Sequence, residues 1–101
     1  MAKYEGWSNY ETWAVKLHID NTESSYLWWK ERAEEFVTNE DEPDIQVLAD
    51  ELKAEHESAL PTLEGFAADL LQAAFGEVNW YEIAETLIEN AIEEGDAVAA
   101  S

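Results

Sequence analysis

Cysteine is absent from the 101 residues, which excludes disulfides, thiolate metal sites and a thiol nucleophile. Basic residues are scarce: five Lys and Arg stand against 24 Asp and Glu, for a formal net charge of −19. The last of the five is Lys53, and from Ala54 onward there are eleven acids and no Lys or Arg. Such a surface repels nucleic acid and anionic membrane, and it attracts basic clefts over a Debye length of about 8 Å. Long apolar runs are missing too. No stretch reaches the roughly 18 consecutive apolar residues of a membrane span, and "MAKYEGWSNYE" has no signal-type apolar run, so the chain reads as cytoplasmic.

What is present argues for a folded chain despite the charge. The composition is 47% apolar and 12% aromatic, with five tryptophans, four of them within the first 29 residues. A disordered acidic chain has neither feature. At 101 residues the whole chain is expected to form one domain with a modest core, residues 1–7 and 96–101 fraying at its ends.

The apolar residues recur at helical spacing throughout, and no useful length of period-two alternation appears, so the expected fold is all-α with about five short helices. Ser8 and Glu11 fit a capping box opening the first helix, with Tyr10, Trp13, Ala14 and Leu17 inward and Asn21 as the stop. A second helix starts near Thr22 or Glu23, carries Tyr26, Trp29, Ala33, Phe36 and Val37, and ends near Asn39. After the connector "NEDEPD", Pro43 suits the first turn of a third helix with Ile45, Leu48, Ala49, Leu52 and Ala59 on one side, closed by Pro61. Thr62 caps a fourth, with Leu63, Phe66, Ala67, Leu70 and Ala74 inward and Gly76 as its stop. Asn79 and Glu82 form a second capping box. Trp80, Ile83, Ala84, Leu87, Ile88 and Ala91 then face inward, up to Gly95.

Signatures of catalysis are few. The two histidines, His18 and His56, are not preceded by Glu at the spacing of a helical metal site. His56, between Glu55 and Glu57, reads as a solvated residue compensating charge, and His18 as partly buried. There is no nucleophile elbow and no phosphate loop. The acids of "NEDEPD" suggest calcium, but a calcium loop counted from Asn39 needs Gly at the sixth position and Glu at the twelfth, where Asp44 and Asp50 stand. No metal, no cofactor and no enzymatic activity are expected.

The acids themselves form a pattern. Glu82, Glu85, Glu89 and Glu93 fall on one stripe of the fifth helix, expected beside its apolar stripe and about 16 Å long. One DNA strand shows about five phosphates over that length. Asp44, Glu51 and Glu55 make a second row, and Glu31, Glu34 and Glu35 a third cluster. A solvated face would have the same spacing, but such faces usually interleave Lys at i, i+4, and the fifth helix has none. Among the tryptophans, Trp13, Trp29 and Trp80 lie on apolar stripes, and Trp7 suits a hydrophobic staple. Trp28 points about 100° away from Trp29. It either covers another helix or stands exposed as an interface anchor.

At "WSNYETWAVKLHIDN" and "EVNWYEIAETLIE" the chain resembles a family of small acidic proteins encoded by phages, plasmids and other mobile elements. The matching blocks are Asn9 to Trp13 and Asn79 to Ala84. The resemblance implies no catalytic residue; it implies a context in which small acidic proteins often mimic DNA and inhibit restriction, CRISPR or repair enzymes. One such class, the phage uracil-DNA glycosylase inhibitors, places a Glu-Ser-apolar segment in the DNA groove of its target, beside an apolar pocket. Glu57-Ser58-Ala59-Leu60 is similar to it, and Glu23-Ser24 less so, although those inhibitors are built on a β-sheet.

The resulting expectation is a DNA mimic without enzymatic activity whose partner is a DNA-binding enzyme with a basic cleft, a uracil-DNA glycosylase first. The alternatives are a restriction or CRISPR target, an acidic helical adaptor binding a basic protein through Trp28, or a small metal-dependent enzyme using clustered carboxylates. Native-state repulsion among 24 acids predicts that salt stabilises the fold. Thermal unfolding followed by circular dichroism should give a helical spectrum and a midpoint that rises with sodium chloride. A falling midpoint would contradict the charge argument.

Overall fold

Five helices form in the computed structural model: α1 (Tyr10–Asn21), α2 (Glu23–Asn39), α3 (Ile45–Ser58), α4 (Gly65–Gly76) and α5 (Trp80–Ala100). The structure describes residues 5–39 and 43–100, with side chains through Glu93, so Glu40, Asp41 and Glu42 of the acidic connector lie outside the described residues. No β-strand occurs among the described residues, and the architecture is all-α.

The centre of the fold is α5. Its apolar face (Ile83, Ala84, Leu87, Ile88, Ala91) packs against Leu48, Ala49 and Leu52 of α3 and Trp29, Ala33 and Phe36 of α2. Ile19 of α1 completes the buried cluster. The two flanking helices are also joined by charge. Arg32 of α2 reaches Glu51 of α3 with both ends of its fork, Nε to Oε1 and Nη2 to Oε2, each at 2.9 Å. Its guanidinium also lies over the Phe36 ring, 4.7 Å from the centroid.

A polar clasp ties the start of α1 to the start of α5. Asn9 caps α1, its Oδ1 accepting from the Thr12 N–H at 2.9 Å and the Thr12 hydroxyl at 2.6 Å. Thr12 Oγ1 in turn accepts from the Asn79 N–H at 2.8 Å. Asn9 Nδ2 donates to the Glu77 carbonyl at 2.7 Å, and the Ser8 N–H donates to Glu82 Oε1 at 2.9 Å. Asn79 Oδ1 accepts from the Glu82 N–H at 3.1 Å, capping α5. The expected boxes are therefore exchanged between helices: Ser8 does not cap α1, and the Glu82 carboxylate serves Ser8 rather than its own cap. Two adjacent residues, Ser8 and Asn9, have capping chemistry, and only the neighbouring chain chooses between them.

That choice also turns α1. Its buried residues are Thr12, Lys16 and Ile19, whereas Tyr10 is 55% exposed and Leu17 is exposed as well. The expected stripe of Tyr10, Trp13, Ala14 and Leu17 stays at the sides. Burial of Thr12 is compensated by its hydrogen bonds, and burial of Lys16 by Asp20, whose two oxygens lie 2.7 Å from Nζ. On α2, Tyr26 is exposed rather than inward, while Trp29, Ala33 and Phe36 are buried as expected. The third helix begins after Asp44, which caps Gln46 and Val47, so Pro43 stands outside it; it ends at Ser58, before Pro61, and leaves Ala59 exposed.

The largest departure is α4. Glu64, not Thr62, occupies its N-cap position and makes no side-chain cap, and Gly65 takes a φ of +64 that glycine adopts without strain. No residue of α4 is buried: Phe66 is 82% exposed, Leu70 59%, and Leu63 just ahead of the helix is exposed too. The helix is apolar nearly all round, with Asp69 its single charge, so periodicity does not select a face. Phe75 selects it by packing on Trp80, ring centroids 5.3 Å apart. Finally, α5 does not stop at Gly95 but continues to Ala100, because one interior glycine costs about 1 kcal/mol and no proline follows.

Truncation should separate these faces. Leu52→Ala should cost about 2–5 kcal/mol in chemical denaturation, and Phe66→Ala no more than about 0.5 kcal/mol. Equal losses would mean that α4 is buried after all. Thr12→Val leaves the Asn79 N–H without its acceptor and should cost about 1–3 kcal/mol. A neutral Thr12→Val would show that the clasp contributes nothing.

Candidate protein-interaction surfaces

The folded chain holds its acids outside. None of the acidic side chains described is buried, and fifteen are exposed. The stripe on α5 is less uniform than its spacing implies. Glu89 and Glu93 are exposed, but Glu82 and Glu85 are half-buried, and Glu82 carries the Ser8 N–H. The stripe lies on the far side of α5 from the apolar face, not beside it, since Trp80 and Glu82 point about 160° apart. At its end Glu93 shares the lining of a depression with Lys16 and Lys30.

The row on α3 divides three ways. Asp44 is occupied by capping, Glu51 is forked by Arg32, and Glu55 is exposed. The hydrogen bonds that Arg32 donates to Glu51, then the Glu51 charge and the hydrogen bond to Glu35 with its charge, raise the Arg32 pKa above its ordinary value despite partial desolvation. Glu31, Glu34 and Glu35 are all exposed and line one shallow depression of about 370 Å³ on α2, although Glu35 also lies 3.0 Å from Arg32.

Glu57 and Ser58 belong to the last turn of α3, and Ser58 Oγ donates to the Glu55 carbonyl at 2.9 Å. Leu60 follows in the turn and is half-buried facing α4. The segment is thus a helix end, not an extended strand. Trp28 is 50% exposed, with its ring edge-on to Trp29 at 4.5 Å. Of the tryptophans expected inside, Trp29 and Trp80 are buried and Trp13 is half-buried. Trp7 packs against the core cluster.

The histidine at position 56 is not the solvated residue its acidic neighbours suggest. It is half-buried between two tryptophans, stacked on Trp29 (6.1 Å, 20°) and tilted against Trp80 (5.3 Å, 38°). Its Nδ1 lies 2.7 Å from the Leu52 carbonyl, which makes Nδ1 the donor and leaves the Nε2 edge for the surroundings. Trp28, Trp29, His56, Trp80 and Phe75 thereby form one aromatic column. The signal was available: His56 stands four residues after Leu52 on the apolar stripe of α3. Trp80 buries its indole Nε1 with no hydrogen-bond partner.

Beside this column runs a feature that periodicity does not reveal. An apolar cavity of about 490 Å³ opens between α1 and α4, lined by Tyr10, Ala14, Leu71 and Ala74 and floored by Trp80. A second, of about 420 Å³, adjoins it at His18, His56 and Ala59 and extends to Trp28. His18 is exposed on the rim, not partly buried. Tyr10 and Ala14, read from spacing as core, are groove wall.

Among the described residues no group of three or more His, Cys, Asp or Glu is placed to hold a metal ion, and no helix is long and apolar enough to cross a membrane. The arrangement offers charge and apolar surface, the chemistry of binding. No curated protein and no solved structure matches the chain. A family model does match residues 1–96, nearly the whole length, and on that basis the chain belongs to DUF7249, a family of unknown function.

Proposed function

We propose that this protein is a DNA mimic: a cytoplasmic product of a mobile element that binds the basic cleft of a DNA-processing enzyme and inhibits it, without catalysis of its own. The observation that carries the reading is linear charge density. The chain puts 19 net negative charges on a body 54 Å long, about one per 2.8 Å, against about 3.4 Å for one DNA strand and 1.7 Å for the duplex. No described acid is buried, so the charge stands on the surface, where a partner can meet it. Helical acids at 1.5 Å rise hold fixed positions, so the partner meets an ordered row rather than a diffuse cloud.

The open carboxylates are the ones to act as phosphates: Glu89 and Glu93 with Glu85 behind them on α5, and Glu31 and Glu34 on α2. Glu82, Glu51 and Asp44 have structural partners and contribute less. Uracil-DNA glycosylase is the first target to test, on the likeness at Glu57 to Leu60, with restriction and CRISPR nucleases next. A helix end in place of a strand means that any insertion into the target would be made by the α3 terminus and Leu60.

Cleavage of a uracil-containing oligonucleotide by the glycosylase should fall with added protein, and excess duplex DNA should relieve the inhibition. Glu89→Lys with Glu93→Lys should weaken binding by about 1 kcal/mol for each lost exposed pair, roughly fivefold apiece, and added salt should weaken it further. Full cleavage at excess protein dismisses this target and moves the assay to restriction and CRISPR nucleases. An enzyme that holds DNA and the protein together would refute mimicry.

A further inference from the structure

The groove between α1 and α4 holds none of the carboxylates proposed above to act as phosphates, although Glu55 of the α3 row lines it, and its chemistry differs from the rest of the surface. Its two adjoining cavities, about 490 and 420 Å³, share His18, His56 and Ala59 and so form one channel. Along α1 the channel runs from Tyr10 to His18, about 12 Å at helical rise, and it continues to Ser24 and Trp28 of α2. A channel of roughly 16–20 Å matches three to four turns of an α-helix. The floor is aromatic; Ala14, Val15, Leu71 and Ala74 join Tyr10 in the walls of the first cavity, and Ser24 and Ser25 line the second. Carboxylates stand at both ends, Glu11 in the first cavity and Glu55 in the second, and no Lys or Arg lines either one.

These features select an occupant. An apolar floor with acidic ends complements an apolar stripe flanked by bases. Nucleic acid and anionic ligands are repelled by the −19 charge. A strand would need an unpaired sheet edge, and no strand is present among the described residues. A second copy would bring its own −19, and its exposed α4 face offers Phe66 and Leu70 with Asp69 but no base for Glu11 or Glu55. A small neutral molecule would fill one cavity and leave the half-exposed Trp28 uncovered. We infer that the α1–α4 groove is a docking site for a basic amphipathic helix of a partner protein, its apolar side resting on Trp28, His56 and Trp80 and its Lys or Arg residues meeting Glu11 and Glu55.

This inference does not depend on the Glu89 and Glu93 stripe, because Trp80 on the groove floor points to the opposite side of α5 from it; only Leu60 is shared with the insertion proposed above. The two surfaces can therefore be tested apart. The probe is a synthetic 14-residue peptide with Leu at i, i+3, i+4 and i+7 of each two turns and Lys elsewhere, labelled for fluorescence anisotropy. Its control is a scrambled peptide of the same composition. The ordered peptide should bind the full chain with micromolar Kd, at least tenfold tighter than the scrambled one, and should shift the Trp80 indole resonance in NMR spectra. Trp28→Ala should weaken binding severalfold, and Ala14→Arg, which puts bulk and a like charge into the channel, about tenfold or more. Circular dichroism confirms that each variant is folded. Glu89→Lys with Glu93→Lys should leave peptide affinity within about twofold. Equal binding of ordered and scrambled peptides would overturn the inference, since charge alone would then account for association. Unchanged affinity in a folded Trp28→Ala variant, or resonance shifts confined to the α5 stripe, would overturn it as well.

Discussion

The fold depends on the exchange of hydrogen bonds between the first turns of α1 and α5. Every helix N-terminus leaves backbone N–H groups that need acceptors, and this chain satisfies two such ends together. Asn9 and Asn79 each cap their own helix, Thr12 joins them, and Ser8 closes against Glu82. Two positive dipole ends thus lie side by side, a placement made tolerable by the acids Glu11, Glu77 and Glu82 around them. The partners are separated by 67 to 74 positions in sequence, so the clasp holds the beginning of the chain against its last helix. It also assigns a structural role to the two blocks "SNYET" and "EVNWYE": they are the two halves of one joint.

Beside that joint stands the packing of α5 between its two other neighbours. α5 has a wide apolar face and no base of its own, so its stability comes from burial between α2 and α3 rather than from ion pairs along its surface. Arg32 supplies the main charge contact across α2 and α3 and neutralises part of the acidic surface there. Elsewhere the acids face outward, and the molecule carries its charge as a shell around an aliphatic and aromatic interior.

Two surfaces result, on opposite sides of α5. One is a face of ordered carboxylates, whose strength depends on salt. The other is a groove with an aromatic floor, created because α4 rests on Trp80 through Phe75 instead of burying the rest of its apolar surface. The aromatic column from Trp28 to Phe75 joins the exposed rim of that groove to the core. Several of the tryptophans that pack this acidic chain, Trp28, Trp29 and Trp80, therefore also line that groove.

The helical class, the five elements and, apart from Tyr26 and Ala59, the interior faces of α2, α3 and α5 were legible from spacing, because each has a clear apolar stripe set off by charged residues. The excess of acids, and hence their exposure, was legible in the same way. Three matters were decided only by tertiary structure. α1 is amphipathic on more than one side, so its buried face was set by Thr12 joining Asn79 rather than by the hydrophobicity of Tyr10 and Leu17. α4 is apolar almost all round, which left its orientation to a single aromatic contact between Phe75 and Trp80. The channel beside His56 depends on rings from α2, α3, α4 and α5 meeting at one place: His56 could be read as inward from its spacing to Leu52, but periodicity within one helix carries no information about which side chains come from the others.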